Sequence, residues 1–108
     1  KIKRSYPLPG QPATIGWLYS DNQAVRMAAA DSLTRAKATW ALPNLLRSLD
    51  DTYILNRQFA RIGLEAMLGI RLADFGYGYF ETPAERAEAI NELRAKLLPA
   101  KPGEKSGP

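Results

Sequence analysis

The spacing of the apolar residues constrains this chain more than any other feature: they recur every three or four positions, the period of amphipathic helices. Val25, Ala28, Ala29, Ser32, Leu33 and Ala36 predict one face of a helix that Asp21 can N-cap. Leu42, Leu45, Leu46 and Leu49 predict a second helix, with Thr39 as candidate cap and Pro43 tolerable near the first turn. Leu55, Phe59, Ile62 and Met67, flanked by Ala60 and Leu64, form a wider stripe that predicts a helix buried on two sides and stopped at Gly69. Thr82-Pro83-Ala84-Glu85 supplies a capping threonine, a proline for the first helical position and a glutamate three residues after the cap. The single stripe of Ala87, Ile90, Leu93 and Leu97 then predicts a terminal helix with one packed face.

These helices lie between two segments of different character. Residues 1–11 contain Pro7, Pro9 and Gly10 and read as an extended arm or linker. Residues 99–108 carry no apolar side chain after Ala100 and read as a flexible tail, which leaves 12–98 as one helical domain. The formal charge of +4 resides in those ends, because between Tyr6 and Leu98 ten basic residues face ten acidic ones. A neutral folded region makes nucleic acid an unfavoured partner. No apolar run approaches the roughly 18–20 residues that span a bilayer. With neither cysteine nor histidine, the chain lacks disulfides, thiolate metal sites, the commonest metal ligand and the commonest general base. Neither compartment nor oligomeric state is legible.

Sliding the sequence against itself by 31 residues pairs Pro12 with Pro43, Ile15 with Leu46, Leu18 with Leu49, Arg26 with Arg57, Ala29 with Ala60 and Leu33 with Leu64. A period of this size made of helix pairs predicts an all-α fold: a short alpha-solenoid of about five helices, closed by a C-terminal helix. The run Asp21-Asn22-Gln23-Ala24-Val25-Arg26-Met27-Ala28-Ala29, followed by Ala41-Leu42-Pro43-Asn44-Leu45-Leu46, resembles the short bacterial HEAT repeat, the type also found in phycobilin lyases. In the second copy Leu55-Asn56-Arg57 stands where Val-Arg is expected, and Arg61 and Gly63 interrupt the alanines. Phe75-Gly76-Tyr77 and the helix after Thr82 are similar to a segment that closes such proteins. The resemblance implies the C-terminal part of a longer HEAT-repeat protein, with Asp21, Arg26, Pro43, Asp51 and Arg57 as repeat-forming residues.

Sequence motifs for catalysis are lacking: there is no Gly-rich phosphate loop, nucleophile elbow or metal-ligand cluster, and no cofactor is expected. Asp50 and Asp51 fall at a turn between helices, where aspartate caps the helix that follows. Arg26 and Arg57 are expected to pair with acidic turn residues inside the stack. Phe75-Gly76-Tyr77-Gly78-Tyr79-Phe80 puts four aromatics and two glycines into six residues; Phe75 and Tyr77 are expected to pack, whereas Tyr79 and Phe80 are open to a ligand. Trp17 and Trp40 are read as edge-of-core residues. The expectation is a non-catalytic protein-interaction or scaffold module, with Arg47, Arg61, Tyr79 and Phe80 as candidate partner-binding residues. A nucleic-acid-binding helical repeat and a bilin-lyase-like accessory protein are the alternatives.

Overall fold

The computed structural model describes residues 14–98, so the arm at 1–11, Pro12 of the repeat pairing and the tail at 99–108 lie outside the described residues. Every regular element among the described residues is helical: α1 (Thr14–Trp17), α2 (Gln23–Arg35), α3 (Leu42–Ser48), α4 (Ile54–Leu68) and α5 (Pro83–Leu97), with short 3-10 turns at Thr39–Ala41 and Leu72–Phe75. Local chemistry sets most of the ends. The Thr82 side chain accepts from the Glu85 amide while the Glu85 carboxylate accepts from the Thr82 amide, a reciprocal cap that fixes the start of α5. Gly69 ends α4 at φ 69°, a left-handed conformation that costs glycine little.

The caps of the earlier helices differ from expectation. Asn22, not Asp21, caps α2, its side-chain oxygen accepting from the Ala24 and Val25 amides. Thr39 opens the 3-10 turn that precedes α3 and gives α3 no side-chain cap. Pro43 occupies the first turn of α3, where its missing N–H has no helical acceptor to lose.

The core is a sheet of leucine and alanine packed between the helices. Leu33 of α2, Leu45, Leu46 and Leu49 of the α3 region, Leu64 of α4, Leu72 of the second 3-10 turn and Leu93 of α5 are all at most 1% exposed. The most extensive helix contact is α2 on α4; α3 packs on both α4 and α5, and α1 packs on α2. Tyr77 fastens the loop between α4 and α5 to this core. Its hydroxyl donates to the Leu49 carbonyl at the end of α3 (2.6 Å), and burial pushes that hydroxyl well above its ordinary pKa.

The rotation of two helices corrects the sequence expectation. On α2 the buried residues are Ala29, Ala30, Leu33 and Thr34, while Ala28 and Ala36 face out. On α4 they are Asn56, Arg57, Ala60 and Leu64, whereas Leu55, Phe59 and Ile62 are about half exposed (44%, 51% and 45%). Thus α4 packs on two neighbours, yet through a different face from the one its apolar stripe marks. One 31-residue period earlier, the matching outward row on α2 is Ala24, Ala28 and Asp31. On α5, Ala87 likewise faces out and Arg86 in, and Trp40 is half exposed while Trp17 packs partly against the core. Replacing Phe59 by serine is therefore expected to cost no more than about 1 kcal/mol in a urea-unfolding experiment. A loss of several times that would put Phe59 in the core after all.

Candidate functional site

Three arginines organise one end of the molecule. Arg26, Arg57 and Arg86 each lie four residues after the N-cap of their helix, Asn22, Tyr53 and Thr82 respectively. A cation in the first turns of a helix opposes the helix dipole, so each side chain needs compensation from outside the helix. Each finds it by reaching backwards. Arg26 Nη1 donates to the carbonyl of Ser20 (2.9 Å), Arg57 Nη1 to that of Asp51 (2.6 Å), and Arg86 Nη1 to that of Glu81 (2.5 Å). The Nε atoms then cross to another turn: Arg26 to Asp51 Oδ2 (2.8 Å), Arg57 to the Tyr79 carbonyl (2.7 Å) and Arg86 to Asp50 Oδ1 (2.9 Å). The three turns that launch α2, α4 and α5 are stitched together by side chains whose charge is largely satisfied within the fold.

Asp50 and Asp51 therefore serve these arginines and do not cap α4, whose N-cap is Tyr53 without a side-chain bond. Asp51 is the more engaged of the two. It takes both Arg26 Nε and Nη2 in a bidentate pair and also accepts from the Tyr53 amide (2.9 Å). Burial by itself raises the Asp51 pKa, but the Arg26 and Tyr53 hydrogen bonds outweigh it and hold the carboxyl below its usual range. The hydrogen bond to Asp51 in turn raises Arg26 against an opposing effect of burial. Arg57 meets only carbonyl oxygens, so it does not form the acidic pair expected for it.

Beside this stitched end lies a groove. Tyr19, Asn44 and Arg47 border a depression of about 260 Å³ between α1 and α3. Arg47 also borders a second, of about 250 Å³, with Ala87, Ile90, Asn91 and Arg94 of α5. The two share Arg47 and Asp50 and so run on from one another across α3. Within the groove the aspartates are already held, Asp51 by Arg26 and Asp50 by Arg86. Arg47 and Arg94, in contrast, have no carboxylate partner among the described residues. Arg47 lies over the Tyr19 ring, 4.4 Å from its centre. Asn44 Nδ2 donates to the Tyr19 hydroxyl (2.7 Å) and fixes that ring in place.

Of the four residues singled out as partner-binding, the structure places one in the groove and gathers the other three, Arg61, Tyr79 and Phe80, elsewhere. Arg47 lies in the groove. Arg61 sits on α4, ion-paired with Glu65 (2.9 Å) and 5.5 Å from the centre of the Tyr79 ring. Tyr79 is partly buried, and its edge-to-face neighbour Phe80 is 70% exposed, outside the groove. Asp21 is exposed and contributes its carbonyl to Arg26 (3.3 Å). Tyr19, Arg86 and Arg94 escaped the sequence reading. Arg86 had a visible signal, since it follows Arg57 by 29 residues and shares its distance from the cap. Arg94 had another, for no acidic residue stands three or four positions from it. Among the described residues there is no group of three or more acidic side chains that fits a metal ion, and no helix long and apolar enough to cross a membrane. No family model, curated protein or solved structure matches this chain.

Proposed function

We propose that this chain is a non-catalytic protein-interaction module of HEAT-like helix pairs, and that its partner lies in the groove across α3. The observation that carries the reading is the division of labour among the arginines. Arg26, Arg57 and Arg86 are consumed by the turns, whereas Arg47 and Arg94 have no carboxylate partner among the described residues and share one groove. Charged groups without an internal carboxylate partner that are nonetheless held in place, as Arg47 is by Tyr19, are what a binding surface requires. The repeat reading is supported by α2 packing on α4 and α3 on α5, two layers of like helices, and by an arginine recurring at one position of α2, α4 and α5. The described segment would then be a short solenoid closed by α5.

Photo-crosslinking tests the location. With a benzoylphenylalanine at Ser48, which borders the groove, discrete adducts are expected in extracts of the source cells. The same group at Ala28, on the outer face of α2, is expected to give none. Adducts at Ala28 alone, or at neither position, would rule out the groove as the binding surface.

A further inference from the structure

We infer that the segment bound in this groove is an acidic peptide, with carboxylates taken by Arg47 and Arg94. This rests on the interaction-module reading above and gives the partner its chemistry. The charge ledger decides it. Arg26 is paired with Asp51, Arg35 with Asp31, Arg61 with Glu65, Arg86 with Asp50 and Lys96 with Glu92. Arg57 is spent on backbone carbonyls. Lys37, Arg47, Arg71 and Arg94 are left over, and of these four Arg47 and Arg94 both border the depression between α3 and α5, so the groove carries two guanidinium groups without a carboxylate partner.

A guanidinium offers planar donors matched to a carboxylate, and the match is best when the group is oriented beforehand. Arg47 is so held: its guanidinium carbon lies 4.4 Å over the centre of the Tyr19 ring, whose hydroxyl is tied to Asn44. The floor next to it is not uniformly polar, since Ile90 and Ala87 of α5 line the same depression as Arg47 and Arg94. A peptide with acidic residues spaced by a small apolar one satisfies both. A nucleic-acid backbone fits less well. It demands a run of cations along a track, whereas two arginines here share the groove with Asp50 and Asp51, whose charge, though paired, discourages a continuous polyanion.

The test is a peptide array probed with the labelled full chain, using ten-residue peptides graded from no Asp or Glu to six. Binding is expected to rise with acidic content, and Arg47→Gln and Arg94→Gln are each expected to weaken it roughly tenfold or more. Arg35→Gln, on the outer face of α2, is expected to leave it unchanged. Circular dichroism of each variant confirms folding. Binding independent of acidic content but abolished by Ala87→Arg, which obstructs the groove, would overturn this inference while leaving the interaction module standing. No binding to any peptide would overturn both. Tighter binding of a single-stranded oligonucleotide than of any peptide, lost in Arg47→Gln, would overturn the peptide in favour of nucleic acid.

Discussion

Asp51→Ala is expected to destabilise the fold by about 2–3 kcal/mol, between the figures for an exposed and for a fully buried ion pair. Against a total of roughly 5–10 kcal/mol for a chain of this size, that is a large share. The magnitude follows from how much converges on one carboxylate. Its side chain is 7% exposed and that of Arg26 is 18% exposed, so neither group recovers much hydration when the pair is cut. The Tyr53 amide loses its acceptor in the same substitution. Thermal unfolding followed by circular dichroism measures the effect, and a loss below about 1 kcal/mol, the range of exposed pairs, would mean the pair is solvated after all.

The same carboxylate gives a pH signature of definite sign. In the fold it ionises more readily than in the unfolded chain, so as pH falls the unfolded chain takes up its proton first. The contribution is fully present above the unfolded pKa, about 3.9, and is lost progressively as pH falls through the lower folded value. Asp51→Asn is expected to remove that step, leaving a flatter stability profile in acid with a lower plateau at neutral pH. A profile that keeps its full acid slope in the variant would assign the slope to other carboxylates.

What the sequence revealed and what it hid divide along the range of the interactions. The start of α5 was legible because Thr82, Pro83 and Glu85 act on one another within a single turn. The stop of α4 at Gly69 and the leucine stripe of α3 were legible for the same reason. The rotation of α4 was not. Hydrophobicity alone points Leu55, Phe59 and Ile62 inward, but the carbonyls of Asp51 and Tyr79 need donors, and Arg57 turns into the structure to supply them. Once Arg57 and Asn56 face in, the larger apolar residues on the other side of the helix must face out. The groove was legible only in part. Arg47 was singled out from the sequence, but Tyr19 and Arg94 reach it from segments far away along the chain, which no local spacing marks.

Gly63→Ala is expected to lower stability by about 1–3 kcal/mol, the range for overpacking a closed interior. The direction is opposite to what helix propensity alone gives, because alanine is better than glycine in a helix interior by about 1 kcal/mol. Close approach reverses the sign. A β-carbon on Gly63 would stand 2.6 Å from Thr34 Oγ1 and 3.0 Å from Thr34 Cβ, in the middle of the contact between α2 and α4. Thr34 has no room to yield. It is buried, branched at Cβ and therefore stiff, and its hydroxyl donates to the carbonyls of Ala30 (3.0 Å) and Asp31 (3.1 Å). The helices must separate instead, loosening Leu33 and Leu64, both fully buried. Thr34→Ala in the Gly63→Ala background is expected to restore part of the loss, because it removes Oγ1 (2.6 Å) and Cγ2 (3.2 Å) and leaves only Cβ, at 3.0 Å, against the new methyl group. Urea midpoints for the four members of that cycle give the coupling between the two positions directly. A Gly63→Ala variant as stable as the parent, or additive with Thr34→Ala, would mean that α2 and α4 do not touch there.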